Sequence, residues 1–221
     1  MLVLGFDSAG DGASVALLRD GAVIATRDAT QARGQAEILM PMIAQVLDEG
    51  GIAASGLDLI GVGVGPGSFT GLRIAIAAAR GLALATGVPA IGVTAFAAIA
   101  AQVPMAQRDG RALLVAIDTR RDDFYLQLFA SDAGSDPIAV GAAAVAAWVP
   151  PVPLLLAGDA AHRLAPALAG RDLAMGAAVR VEGADVARLA AAAYRPGLAV
   201  APPQPLYLRP PDTTLPRGNP A

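Results

Sequence analysis

The hydrophobic pattern of the first thirty residues breaks into three short runs, "LVLGFD", "GASVALLRDG" and "AVIATRDA", set apart by Gly and Asp turn signals. Aliphatic runs of this length, bounded by turn formers, predict β-strands, and their close spacing predicts a meander. The period then changes. "GQAEILMPMIAQVLDEGG" carries apolar residues at helical spacing from about residue 35 to residue 47, with Gly50 and Gly51 as the stop and Pro41 costing one internal hydrogen bond. "LDLIGVGVG" predicts a buried strand, "GLRIAIAAARGLALATG" a second helix ending at Gly87, and "VPAIGVTAFAAIAAQ" a further strand and helix. The order βββαβαβα is that of an α/β protein.

The stretch "LLVAIDTRRDDFYLQLF" at residues 113 to 129 repeats the opening "LVLGFDSAGDGASVALL" in outline. In both, an aliphatic strand ends in Asp followed by a small hydroxyl residue, Asp7-Ser8 and Asp118-Thr119, before a polar turn and an alternating strand. The copies lie half a chain apart, which predicts two homologous halves joined between Pro104 and Gly110. The expected lobes are residues 1–103 and 104–208, followed by a Pro-rich tail at 209–221 expected to be disordered. In the second half, strands are expected near residues 137–140 and 152–158, and a helix near 185–194.

Composition narrows the chemistry. All sixteen basic residues are arginine and none is lysine, so a P-loop lysine, a Schiff base and a lysine general base are excluded. There is no cysteine, which removes disulfides, thiolate nucleophiles and cysteine-bound metals. A net charge of −3 provides no global basic field for a phosphate backbone. No uninterrupted apolar run reaches the roughly 20 residues that span a bilayer, and no basic region precedes the first apolar run. A soluble, cytoplasmic chain without a membrane partner is therefore expected.

Between Gly61 and Gly81 stands "GVGVGPGSFTGLRIAIAAARG". Its glycines miss the G-x-G-x-x-G spacing of a dinucleotide fingerprint, and Gly71-Leu72 stands where a Walker A loop needs Gly-Lys. Two readings stay open: an anion held by the helix N-terminus, or, favoured, a tight strand-to-helix turn. The helix behind the loop carries only Arg73 and Arg80 as charges from Leu72 to Ala85, and the helix before it is equally apolar through Ile38, Leu39, Met40, Met42, Ile43, Val46 and Leu47. Such helices are either internal or covered by a partner. Asp7 and Asp118, with Asp11 and Asp122 nearby, allow Mg²⁺ chemistry, but turn formation by Asp-Ser and Asp-Thr is the simpler role. The single histidine, His162, has no second ligand at metal spacing and is expected on a helix surface.

Taken together, "GFDSAGDGASVALLRDG", "ILMPMIAQVLDEGGI", the segment around "GPGSFTGLR", "VAIDTRRDDFYLQLF" and "PLYLRPPD" resemble the bacterial TsaB (YeaZ) proteins over nearly the whole chain. The resemblance implies an actin-like, sugar-kinase-like fold of two RNase H-like lobes, each a mixed sheet flanked by helices. It implies a non-catalytic partner of TsaD in forming threonylcarbamoyladenosine 3′ of the anticodon in tRNAs that read codons starting with A, with TsaE joining the pair. The chain alone is then expected to hold no cofactor or metal, ATP and metal belonging to TsaD and TsaE, and to meet tRNA only within the complex. The family's pairing surface, also used for homodimers, maps onto the two apolar helices. The residues expected to contact a partner are Gln35, Ile38, Leu39, Met42, Ser68, Phe69, Thr70, Leu72, Arg73, Ile76 and Arg80. An Asp at Leu72 or Ile76 is expected to leave the monomer folded if that face is external. Relatives commonly begin the first helix with His-Ser-Glu; here it reads Gln35-Ala36-Glu37, and Gln is a poor replacement for a histidine metal ligand. Without cysteine, paired histidines or a serine triad, a protease is rejected, leaving an actin-like ATPase or small-molecule kinase using Asp7 and Asp118 with Mg-ATP as the alternative.

Overall fold

The structure, a computed structural model, describes residues 1–30, 34–130 and 134–209. Strands β1 (Leu2–Asp7), β2 (Ala13–Arg19) and β3 (Ala22–Ala29) form the predicted meander, with Leu2 opposite Arg19 and Asp7 opposite Ser14. β4 (Leu59–Gly63) and β5 (Ala90–Val93) add in parallel on the free side of β1, giving the order β3-β2-β1-β4-β5. The second half repeats this strand for strand. β6 (Ala112–Asp118), β7 (Asp123–Phe129) and β8 (Ile138–Gly141) form a second meander, and β9 (Leu154–Ala157) and β10 (Leu173–Met175) extend it in the order β10-β9-β6-β7-β8. The repeated Asp-hydroxyl signature is thus the visible part of a repeated topology. The tail beyond residue 209, expected to be disordered, lies outside the described residues.

Helices α1 (Gln35–Glu49) and α2 (Phe69–Thr86) cover one face of the first sheet. Leu39, Ile43 and Val46 of α1 and Leu72, Ile76 and Ala79 of α2 close a core over Leu4, Phe6, Leu17, Ile60 and Val62. Ser68 starts α2 by accepting the Gly71 amide on its Oγ, and Gly87, at φ 76°, ends it. Short helices α4 (Val145–Trp148) and α5 (Ala161–Leu164) pack on the outer side of the second sheet.

The layer between the sheets is shared. α3 (Ala95–Ala101), from the first half, sets Phe96 and Ile99 against Leu113, Val115 and Ile117 of the second sheet. α6 (Gly183–Ala193), from the second half, returns to the first sheet and sets Val186, Ala187 and Ala190 against Val3, Ala16, Leu18 and Leu59. Two glycines, Gly5 and Gly61, make that return possible because they sit side by side in register and present no side chain to α6. A Cβ at Gly5 would lie 2.2 Å from the Gly183 carbonyl oxygen, and one at Gly61 2.8 Å from Ala190 Cβ. The Gly183 amide, at the N-terminus of α6, donates to Ser14 Oγ at 2.8 Å. Gly5→Val should therefore lift α6 from its sheet at a cost of about 3 kcal/mol. The expected result is a lower urea midpoint and faster tryptic cleavage at Arg188; an unchanged midpoint would refute this packing.

Candidate functional site

The glycine loop lies in direct contact with the turn that follows β1. A Cβ at Gly63 would come within 1.9 Å of Asp7 Oδ1, one at Gly67 within 2.5 Å of the Ala9 carbonyl oxygen, and one at Gly71 within 1.8 Å of the Ser8 carbonyl oxygen. Glycine stands at these positions because two backbone segments meet there. The loop's polar groups are used in the same contact: the Ser68 amide donates to Ala9 O at 2.6 Å, Ser8 Oγ to Gly71 O at 2.8 Å, and the Gly71 amide to Ser68 Oγ at 3.3 Å. These amides face protein acceptors rather than an open cradle, which favours the tight-turn reading.

Asp7 and Asp118 play matching local parts. Asp7 Oδ2 accepts from the Ala9 amide at 2.9 Å and Asp118 Oδ1 from the Arg120 amide at 2.8 Å, the same turn two residues on in each half. Their surroundings differ. Asp7 is 4% exposed, its Oδ1 has no hydrogen-bond partner, and burial pushes its pKa up to about 6. Asp118 pairs with Arg163 at 2.8 Å, and that guanidinium also lies 4.1 Å over the Phe124 ring. Asp159 accepts from the Asp118 amide at 2.8 Å, and its carboxyl is shifted upward mainly by burial. An ion pair between Asp11 and Arg120 joins the turn of one half to that of the other. Among the described residues no group of three or more His, Cys, Asp or Glu side chains could hold a metal ion, and His162 lies exposed on α5. Asp7 is thus buried with no arginine beside it, whereas Asp118 is already paired with Arg163.

The residues expected on the pairing surface divide in two. Ser68, Phe69, Thr70, Arg73 and Arg80 are exposed, and Ile38 is half-buried. Gln35, Leu39, Met42, Leu72 and Ile76 are instead buried, the four apolar ones within the core between the helices and the first sheet. This corrects the placing of Leu72 and Ile76 on an external face, the condition on which an Asp there would be tolerated: the inner side of α2 is committed to its own sheet. The outer side runs through Phe69, Arg73, Ala77, Arg80 and Leu84, positions at helical spacing, with Leu84 88% exposed. α2 is long and apolar enough by composition alone to cross a membrane, yet only 28% of it is buried. Met40, 45% exposed on α1, adds to this open apolar surface. Sequence reasoning passed over Ala77 and Leu84, although the spacing of Arg73 and Arg80 marks the side on which they lie.

The segment after α6 runs back along this helix. Arg80 donates twice to the Pro203 carbonyl, and Tyr207 lies beside Phe69 and Arg73. A groove of about 650 Å³ opens between the end of α2 and this segment, lined by Arg80, Leu84, Tyr194, Leu198 and Pro203.

Residues 23–149 match the family model for TsaD, tRNA N6-adenosine threonylcarbamoyltransferase. The chain is 36% identical over 125 residues to the tRNA threonylcarbamoyladenosine biosynthesis protein TsaB of Escherichia coli, covering 57% of this chain and 53% of that one. It is 31% identical over 125 residues to the TsaB of Haemophilus influenzae, covering 57% and 52%. It thus spans about half the length of these two curated relatives. An uncharacterised protein of Mycobacterium tuberculosis is 34% identical over 217 residues, 95% of this chain and 92% of that one. Among solved structures, YeaZ from Pseudomonas aeruginosa matches with a TM-score of 0.79 and 30% identity, covering 94% of this chain and 99% of that one. Component A of (R)-2-hydroxyglutaryl-CoA dehydratase from Acidaminococcus fermentans, 10% identical with a TM-score of 0.54 over 86% and 96%, shares the fold alone. The architecture is the actin-like, sugar-kinase-like one, with an RNase H-like sheet in each half.

Proposed function

The chain belongs to the TsaB (YeaZ) family, and from that premise we propose that it is a non-catalytic subunit in the formation of threonylcarbamoyladenosine on tRNA. In this reading it binds a TsaD-type transferase through the outer sides of α1 and α2, and TsaE joins the pair. It supports transfer of the threonylcarbamoyl group to the adenosine 3′ of the anticodon in tRNAs that read codons starting with A. ATP and metal are held by the partners. A second copy of the chain, using the same surface, would compete with TsaD.

The observation that carries this reading is the open outer side of α2. Exposed apolar area of this kind is removed from water when a partner covers it, at about 25 cal/mol per Å². The closed glycine loop and the pairing of Asp118 with Arg163 favour a supporting rather than a chemical role. The net charge of −3 favours contact with tRNA only inside the assembly.

Ala77 lies exposed at the middle of the stripe and makes the cleanest probe. Ala77→Asp should cost the free chain no more than about 1 kcal/mol of helix propensity. Calorimetric titration with TsaD from the same organism should show affinity at least about tenfold weaker than wild type. Equal affinity would remove α2 from the interface, and no binding by the wild-type chain would remove the reading itself.

A further inference from the structure

The segment at residues 203 to 209 is held at three points, one of them on α2. Arg80 donates to the Pro203 carbonyl oxygen through Nε at 3.1 Å and Nη2 at 2.6 Å. The Leu206 amide donates to Val64 O at 2.8 Å, and Arg209 forms an ion pair with Asp123 of the second sheet. Tyr207 is fixed between the last two anchors. Its ring centroid lies 5.6 Å from that of Phe69, and its hydroxyl accepts from Arg73 Nε at 3.3 Å. The Arg73 guanidinium also lies 3.7 Å over the Phe69 ring, so one arginine touches both aromatic side chains.

A segment that served only to seal α2 would bury Phe69. Here Phe69 remains 47% exposed and Tyr207 45%, so the segment adds a second ring to the surface and leaves both open. We propose that Tyr207, with Phe69 and Arg73, forms a preassembled binding cluster at the N-terminal end of the α2 docking surface, and that it receives an apolar protein surface bearing a carboxylate opposite Arg73. This inference rests on the reading that the outer sides of α1 and α2 bind a TsaD-type subunit.

Charge decides the chemistry of the occupant. The exposed side of α2 carries Arg73 and Arg80 and no acidic residue, and among the described residues no carboxylate pairs with Arg73. Its Nε meets only a neutral hydroxyl, so its remaining N–H groups can donate to an incoming carboxylate in a charge-assisted pair. Tyr, Phe and Arg supply much contact area for few rotatable bonds, and anchors on either side of Tyr207 reduce the ordering cost that association must meet.

The test is titration of the full chain with TsaD from the same organism, with circular dichroism of each variant as the folding check. Tyr207→Ala should bind about tenfold or more weakly than wild type, whereas Tyr207→Phe, which keeps the ring, should lose no more than about threefold. Arg73→Gln should weaken binding and flatten its salt dependence. Wild-type affinity in Tyr207→Ala, or tighter binding because the segment obstructs the site, would overturn the proposal. If Ala77→Asp loses binding while Tyr207→Ala keeps it, only the role of Tyr207 falls. If the wild-type chain does not bind TsaD, both readings fall together.

Discussion

Leu72→Asp is expected to fail to accumulate as a folded protein. Leu72 is 1% exposed and packs in the core that α1 and α2 close over the first sheet. A carboxylate placed there has no cationic partner in that apolar cluster, and burying it costs about 5 kcal/mol or more. That approaches the whole stability of a typical domain, roughly 5–15 kcal/mol. Ile76→Asp, 5% exposed in the same cluster, should behave alike. Leu72→Met conserves volume and should cost less than about 1.5 kcal/mol, which separates the effect of charge from that of shape. Soluble yield and circular dichroism are the readouts. A folded Leu72→Asp protein with a wild-type melting temperature would mean that the inner side of α2 is open.

Asp7→Asn should stabilise the protein at neutral pH. Burial is the main cause of the raised pKa of Asp7, and the backbone amides of Ala9 and Gly10 offset it only in part. With a folded value of about 6 against 3.8 for the ordinary carboxyl, the folded chain keeps a proton that the unfolded chain releases between those values. Stability is therefore fully present below about pH 4, falls as pH rises through about 6, and remains lower above it, by about 3 kcal/mol in total. Asparagine fills the same space beside Gly63 without a charge, although its amide leaves one polar group unpaired. The expected gain is about 2 kcal/mol near pH 7.5, shrinking towards pH 4. Urea unfolding of both proteins across that range measures it. Equal or lower stability of the variant at pH 7.5 would show that Asp7 is not a buried, uncompensated carboxylate.

The short aliphatic runs between Gly and Asp turns made the first sheet and its helices legible, and the Asp7 and Asp118 signatures revealed the second sheet before its weaker strands could be read. The helical pattern begins at Gly71, two residues after the true start of α2 at Phe69, because "GSFTG" reads as loop until Ser68 is seen capping the Gly71 amide. β10, α4 and α5, of three or four residues each, are too short to show a period. The return of α6 to the first sheet depends on contacts between Gly5, Gly61 and Gly183 that are distant in sequence. At the candidate site, the apolar excess of α2 was visible but its phase was not. A helix of alanine, leucine and isoleucine on nearly every side does not announce which stripe faces the sheet, so buried Leu72 and Ile76 were grouped with exposed Phe69. Tyr207 stands in the "PLYLRPPD" stretch, but nothing local ties it to α2, since only the folded chain brings it to Phe69 and Arg73.

The most direct measurement is reconstitution of threonylcarbamoyl transfer to tRNA with TsaD and TsaE from the same organism, ATP and the threonylcarbamoyl donor, with and without this chain. Modified adenosine should form at a substantial rate only when the chain is present, and Ala77→Asp should restore little of it while remaining folded. Transfer at full rate without the chain, or modification of tRNA by the chain without TsaD, would contradict its assignment as a supporting, non-catalytic subunit.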